Sequence, residues 1–172
     1  GFGGSCFPKD LESLIAKSKE KNIPMETLRA AKKANDNQKA KMGTKLENLI
    51  SSSLKGKKIA VLGLSFKANT DDIRESSSID IIEFILSKGG IVRAYDPIAN
   101  ASMMELFNNI SYFEDVYDAI KGADALVVMT EWNEFRALDL PRIKNIMESA
   151  FVLDTRNIIN MSELSKLGFV YD

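Results

Sequence analysis

The sequence contains no histidine and only one cysteine among its 172 residues. Without histidine, the chain has no Ser-His-Asp or Cys-His catalytic site of its own, and most zinc sites are excluded as well. A single cysteine, Cys6, cannot form an intramolecular disulfide, which is typical of a reducing, cytoplasmic compartment. A nucleophile in this chain must therefore be activated by lysine, aspartate, backbone dipoles or a group supplied from elsewhere.

An excess of either charge is also missing. The 23 lysines and arginines nearly balance the 24 aspartates and glutamates, and the net charge is -1. A broad basic surface for nucleic acid is therefore not expected. Apolar runs are too short to span a bilayer, and residues 1–10 are glycine-rich and polar, unlike a secretory leader. We predict a soluble globular protein with no nucleic-acid or membrane partner.

Residues 24–54 are predicted to form one long helix, which follows a glycine-rich loop and a shorter helix over 11–19. Pro24 suits a first helical turn, and apolar residues recur at helical spacing on both sides of a polar stretch, Asn35–Lys39. Such a helix is roughly 45 Å long, a length that usually bridges domains or packs in an oligomer. We therefore separate residues 1–54 from a second region, residues 55–172.

Residues 55–172 alternate the patterns of strands and helices. Continuous apolar runs, such as those at 59–64 and 125–130, are typical of strands that are buried on both faces. The alternation predicts an α/β fold, a Rossmann-like parallel sheet of six strands with helices on both faces. Its ligand crevice is expected at the carboxyl ends of the strands. The segments that follow those strands are 65–67, 96–97, 131–132 and 154–156.

The turn after the first of these strands lacks the usual dinucleotide fingerprint. Ser65 and Ala68 stand where G-x-G-x-x-G requires glycine, so we expect this region to bind something other than a whole NAD. Asp96 ends the second strand, where an acid of a Rossmann fold would meet a ribose.

The first ten residues, GFGGSCFPKD, carry the strongest chemical signal. Glycines allow backbone N–H groups to approach a ligand closely, and Cys6 lies just ahead of a predicted helix. A helix N-terminus and the nearby Lys9 both favour a thiolate, and Asp10 is close enough to act on a proton or a water. Read without its context, a lone cysteine is more often a small buried hydrophobe.

The segment GGSCFPKD resembles the active-site segment of the UDP-glucose/GDP-mannose dehydrogenase family almost letter for letter. The resemblance extends over essentially the whole chain and implies that Cys6 is a covalent nucleophile and that Asp10 assists proton transfer or water activation. It implies an NAD-dependent, two-step oxidation of a sugar C6 alcohol, such as UDP-glucose to UDP-glucuronate, through a thiohemiacetal and a thioester on Cys6. A covalent hold prevents escape of the aldehyde between the two oxidations.

The resemblance also assigns binding residues. Phe2 and Gly3 match positions that contact the sugar or its phosphates, Phe66 and Lys67 line the sugar-nucleotide pocket, and Arg156 contacts the sugar end. The segment Ala68–Ser77 is similar to a second family motif, with Ser77 where a proline is usual. Its Arg74 reaches the phosphates of the cofactor, and Lys9 is assigned to the same side; both would otherwise be solvated loop charges.

The family's other acid–base residues lie upstream of this segment, so the resemblance implies a C-terminal portion that lacks the N-terminal NAD-binding domain. That domain, a UDP-sugar and a second copy joined through the 24–54 helix are the expected partners. The isolated chain is expected to be inactive. GDP-mannose or UDP-N-acetylmannosamine oxidation, and a non-catalytic binding and dimerisation module, remain the alternatives.

Overall fold

Six parallel strands form one sheet in the order β3-β2-β1-β4-β5-β6 in the computed structural model, which describes residues 1–172. This is the predicted Rossmann-like arrangement, and the fold class is confirmed. The strand order reverses direction between β1 and β4, and in sheets of this kind the ligand crevice lies at the carboxyl ends of those strands. The strands are β1 (Lys58–Leu62), β2 (Ile91–Tyr95), β3 (Ser111–Tyr112), β4 (Ala125–Val128), β5 (Phe151–Asp154) and β6 (Val170–Tyr171).

Eight helices accompany the sheet. Two precede it, and the others follow individual strands; the short α6 is the one that the sequence patterns did not predict. They are α1 (Phe7–Glu20), α2 (Glu26–Ile50), α3 (Ser77–Ser87), α4 (Asn100–Leu106), α5 (Val116–Ile120), α6 (Asn133–Arg136), α7 (Leu140–Ile146) and α8 (Met161–Lys166). None of them is both long and apolar enough to cross a membrane.

The sheet separates two hydrophobic cores. Side chains alternate along β1, so Ile59 and Val61 face the core formed with α2, α3 and α4. Ala60 and Leu62 face the core formed with α5, α6, α7 and α8. Because both faces are covered, every position from Ile59 to Leu62 must be apolar, which explains the continuous run in the sequence.

Helix α2 is the predicted long helix, but it spans 25 residues rather than the whole of 24–54. It ends where Ser51 adopts a left-handed conformation (φ 54°). Only its C-terminal half packs on the sheet domain, through Leu46 and Ile50. Gly43 lies directly against the ring of Phe84 on α3, at a distance that leaves no room for a Cβ atom. The two helices therefore approach each other closely at this point.

Helix α3 is fixed to the crevice by its first turn. Ser76 caps the helix and accepts a hydrogen bond from the Ser78 N–H. The Ser78 hydroxyl donates to the Leu64 carbonyl at 2.6 Å, which ties the helix to the turn after β1. The serines that the sequence offered as caps therefore also position the loop that leads into this helix.

Candidate functional site

The glycine-rich loop of residues 1–6 lies between α2 and the loop that joins β1 to α3. On the α2 side, the Asn35 carboxamide accepts a hydrogen bond from the Phe2 N–H at 2.6 Å and donates one to the Phe2 carbonyl at 3.2 Å. On the other side, the Gly4 N–H donates to the Arg74 carbonyl at 2.9 Å. The structure thus brings residues far apart in sequence to the two sides of one loop.

Two glycines make this close approach possible. A Cβ atom on Gly3 would lie 2.1 Å from the Glu75 carbonyl oxygen. Gly4 has a φ of +88°, and a Cβ there would lie 2.7 Å from the ring of Phe66. Only glycine fits between these walls, so the glycines of the motif have a packing reason in addition to the freedom of their backbone.

Cys6 is the N-cap residue of α1 and is exposed to solvent. The helix begins at Phe7, four residues earlier than the sequence patterns predicted, so the cysteine is closer to the helix N-terminus than expected. Its side chain makes no capping hydrogen bond; the one hydrogen-bonding contact of Sγ is with the Ser5 hydroxyl, at 3.6 Å. Asp10 lies in the same first turn, and its N–H donates to the Cys6 carbonyl. The sulfur is therefore accessible and lies at the positive end of a 14-residue helix.

Lys9 and Arg74 line one cavity beside this cysteine, with a volume of about 300 Å³. The Arg74 guanidinium makes two hydrogen bonds to the Asp72 carboxylate, at 2.9 and 2.7 Å. These bonds lower the pKa of the Asp72 carboxyl, and Asp72 in turn raises the pKa of Arg74, with a smaller contribution from Cys6. The remaining lining residues are Gly4, Ser5, Pro8, Glu12 and Glu75.

Phe66 and Lys67 follow the first strand, as predicted. The Phe66 ring covers Gly4, and the Lys67 ammonium lies 5.2 Å from the centre of that ring. The Phe66 N–H donates to the Asp72 carbonyl at 3.0 Å, which closes the loop between β1 and α3 on itself. Phe66 thus contacts the cysteine loop directly, whereas Lys67 is exposed at its edge.

Arg156 lies on the opposite side of the first residues of the chain, across a small cavity that it lines together with Gly1 and Lys39. Its Nε atom donates to the Met129 carbonyl at 2.6 Å and lies 3.5 Å from a carboxylate oxygen of Glu131. Phe2 and Gly3 are thus part of the cysteine loop, Phe66 and Arg74 contact it directly, and Arg156 lies near its first residue at the ends of β4 and β5.

Asp96 has a structural position, which corrects the interpretation that it meets a ribose. The residue is 2% exposed, and both of its carboxylate oxygens accept hydrogen bonds from the protein. Oδ2 accepts from the Leu64 and Ser65 N–H groups and from the indole of Trp132. Its Oδ1 accepts from the N–H groups of Ile98 and Ala99. Because the carboxylate is buried and both oxygens are occupied by donors of the protein, this acid connects loops.

Asn35 and Lys39 are site residues that the sequence analysis did not single out. Both belong to the polar stretch of the long helix. Their spacing of four residues places them on one face of α2, facing the cysteine loop and the loop before α3. The signal in the sequence that could have identified them is their spacing of i and i+4, which puts two polar side chains on the same face of the helix.

Two family descriptions match this chain. The UDP binding domain of the UDP-glucose/GDP-mannose dehydrogenase family matches residues 60–161, and the central domain of the same family matches residues 1–37. The chain belongs to this family. The match of the UDP binding domain covers the crevice, and that of the central domain covers the Cys6 loop, so the resemblance noted in the sequence is confirmed.

Relatives of this family member are named UDP-glucose 6-dehydrogenase. The protein from Rhizobium meliloti is 42% identical over 171 residues, which is 99% of this chain and 39% of the relative. The protein TuaD from Bacillus subtilis is 37% identical over 99% of this chain and 37% of the relative. The chain thus spans about two fifths of the length of these relatives.

Solved structures agree with the fold. A UDP-glucose dehydrogenase from Pyrobaculum islandicum superposes on all of this chain and on 37% of its own, with a TM-score of 0.86 and 28% identity. A UDP-D-ManNAc dehydrogenase from Pyrococcus horikoshii covers 99% of this chain and 38% of its own, with a TM-score of 0.80 and 28% identity.

Proposed function

We propose that this chain is the nucleophile-bearing and sugar-nucleotide-binding part of an NAD-dependent UDP-glucose 6-dehydrogenase. One observation carries the proposal: the exposed sulfur of Cys6 lies at a helix N-terminus, in a loop that is bonded to the family's UDP binding domain. The names of the relatives favour UDP-glucose over other sugar nucleotides. The UDP-D-ManNAc dehydrogenase has the same fold, and UDP-N-acetylmannosamine is therefore the alternative substrate.

Cys6 would hold the substrate between two oxidations. The C6 alcohol first loses a hydride and a proton to become an aldehyde. The Cys6 thiolate then adds to the aldehyde carbon, which becomes a thiohemiacetal when its oxygen takes up a proton. Loss of a second hydride and that proton gives a thioester, and water releases the carboxylate and the thiol. The helix N-terminus favours the thiolate needed for the addition.

Asp10 would serve the last of these steps. It lies one helical turn from Cys6, where a carboxylate can accept a proton from the attacking water. The sugar nucleotide would be held by Phe2 and Gly3 of the loop and by Phe66, Lys67 and Arg156, which lie beside it. The backbone of Phe2 and Gly3 would contact the sugar, as the resemblance to the family implies, and Asn35 holds the Phe2 peptide groups in place.

NAD, when bound to the enzyme, supplies the acceptor for both hydrides. The cations Lys9 and Arg74 line the same cavity beside Cys6 and fit the phosphates of a dinucleotide. The turn after β1 does not fit the phosphates of a dinucleotide, because the N–H groups of Leu64 and Ser65 are bonded to Asp96. We therefore assign the contact with NAD to the Cys6 side of the chain and the UDP to residues 55–172.

Residues 1–54 would carry the nucleophile and the dimer contact. The first half of α2 exposes Ala30, Ala31 and Ala34, and small side chains allow close packing of a second helix. A dimer through this helix, and an NAD-binding domain that completes the site, are the proposed partners. The chain alone is expected not to oxidise UDP-glucose, since its own Rossmann-like turn is closed to a dinucleotide.

Calorimetric titration with UDP, UDP-glucose, GDP-mannose and NAD tests this proposal. Binding of UDP and UDP-glucose without binding of NAD is the expected result. Preference for GDP-mannose would replace the substrate, and binding of NAD alone would overturn the assignment of residues 55–172. Iodoacetamide labelling of Cys6 at several pH values tests the nucleophile, and labelling no faster than that of a model thiol would contradict its activation.

A further inference from the structure

Helix α2 holds the Cys6 loop through two polar residues that are one helical turn apart. Asn35 pairs with both peptide groups of Phe2, in the way that a neighbouring strand would. Lys39 donates to the Glu75 carbonyl at 3.2 Å, and that same carbonyl oxygen abuts Gly3. Helix α2 therefore holds the Cys6 loop directly, through Phe2. It also holds the loop indirectly, because Lys39 bonds the Glu75 carbonyl against which Gly3 packs.

The Lys39 side chain is directed at the segment around Glu75 and not at solvent. That side chain is 8% exposed, and its ammonium lies 3.5 Å from the carboxylates of both Glu75 and Asp80. Glu75 has a φ of 53°, a conformation that a non-glycine residue adopts only where its surroundings hold it. The Lys39 contacts to its carbonyl and carboxylate supply that hold.

Phe2 is likewise constrained on both sides. Its peptide groups are bonded to Asn35, and its ring packs edge-on against the ring of Phe7, with 4.7 Å between the ring centres. Phe7 begins α1, next to Cys6. A change at Asn35 therefore alters the peptide of Phe2 first, and Cys6 through it.

We infer that Asn35 and Lys39 are positioning residues that fix the backbone of Phe2 and Gly3 for contact with the sugar of the substrate. The inference rests on the proposed function, because it takes the sugar contact to be made by this backbone. The UDP moiety is bound by the separate sheet domain in that proposal. We call the contacts of Asn35 and Lys39 with Phe2 and Glu75 the clamp. Loss of the clamp should weaken the part of the affinity that the glucose adds and leave unchanged the part that UDP provides.

The experiment compares UDP with UDP-glucose by calorimetry in the wild-type chain and in Asn35→Ala. The variant is expected to bind UDP-glucose about tenfold more weakly, the loss typical of two ordinary hydrogen bonds, and to bind UDP with an affinity within about twofold of wild type. Asn35→Asp keeps the acceptor for the Phe2 N–H and loses the donor to its carbonyl, so an intermediate loss is expected. Lys39→Met should act in the same direction as Asn35→Ala.

Matched controls exist on the second half of the same helix. Asn48 and Lys41 are exposed, and their side chains make no hydrogen bond or ion pair, so Asn48→Ala and Lys41→Met should leave both affinities unchanged. Alanine also favours a helix more than asparagine does, so unfolding of α2 does not account for the expected loss. An equal loss for UDP and UDP-glucose in Asn35→Ala would contradict the positioning role.

Amide hydrogen exchange separates this inference from the proposed function. Asn35→Ala should accelerate exchange of the Phe2 and Gly4 amides about tenfold, whether or not a ligand binds. Unchanged exchange would overturn the clamp by itself. If the wild-type chain binds neither UDP nor UDP-glucose but the exchange responds as expected, the proposed function fails and the clamp stands as a structural feature without its role in sugar binding.

Discussion

The carboxylate of Asp96 binds Ser65 twice, since its Oδ2 atom accepts from both the N–H and the hydroxyl of that serine at 3.2 Å. In a dinucleotide-binding Rossmann domain, the turn after the first strand is free to receive a pyrophosphate. Here an internal anion takes that position, 31 residues away in sequence. The N–H groups of Leu64 and Ser65, which lie where such a turn would meet a pyrophosphate, are already bonded to Asp96.

Replacement of Asp96 tests this arrangement. Asp96→Ala removes the acceptor for five backbone and side-chain N–H donors in a buried place, so we expect a loss of about 3–5 kcal/mol in the free energy of unfolding. Urea denaturation measures it. Asp71, which is exposed in the neighbouring loop, is the control, and Asp71→Ala should change stability by less than about 0.5 kcal/mol. Similar stability of the two variants would contradict the structural role of Asp96.

Two glycines with positive φ predict different outcomes for the same substitution. Gly63 (φ +88°) faces Thr130, whose atoms would lie 2.5 to 2.7 Å from a new Cβ, whereas Gly56 (φ +73°) faces open space. Gly56→Ala should therefore cost only the backbone strain of about 1 kcal/mol. Gly63→Ala adds a clash with backbone and should cost more than about 3 kcal/mol. Thermal unfolding of both variants measures this difference in stability. Equal losses of stability would show that the space around Gly63 is not limiting.

The substitution Gly43→Ala is expected to lower stability, whereas glycine-to-alanine changes in helices usually raise it. Alanine normally stabilises a helix by about 1 kcal/mol relative to glycine. At this position, however, the Cβ would lie 2.5 Å from the ring of Phe84, so Gly43→Ala is expected to destabilise the protein by about 1–3 kcal/mol. In a Phe84→Ala background the same change should become neutral or stabilising. A double-mutant cycle by urea denaturation measures this reversal, and additive effects would rule out the contact as the cause.

The protein is expected to lose stability in alkali as the phenol of Tyr112 ionises. Burial raises the pKa of this phenol from 10.0 to about 12. The hydroxyl donates to the Phe107 carbonyl at 2.8 Å, and ionisation would remove that bond. Because the folded pKa is above the unfolded one, the stabilisation is complete below pH 10 and is lost as the pH rises toward about 12. Tyr112→Phe should show a shallower decline across this window in denaturation measured at successive pH values. An unchanged decline would assign it to other groups, such as Tyr95, whose pKa is also raised by burial.

The fold was largely predictable, because its signals are local. The apolar runs at 59–64 and 125–130 follow from burial on both faces, and Ser76 at the start of α3 is a capping residue by chemistry alone. The four-residue helix α6 was missed, since one turn is too short for any periodicity to be recognised. The N-terminus of α1 was placed too late because its N-cap residue, Cys6, is not one of the usual capping side chains, although Pro8 in the first turn was an available signal.

The parallel sheet and the family could be read from the sequence alone, and so could the expectation that Cys6 is the nucleophile, because the apolar period and the GGSCFPKD motif are properties of neighbouring residues. Tertiary structure decided what each polar residue contacts. It turned Asp96 inward, placed Asn35 and Lys39 on the Cys6 loop, and set Phe66 against Gly4. Such contacts join residues that are tens of positions apart, and they depend on how helices and loops pack, which no local pattern records.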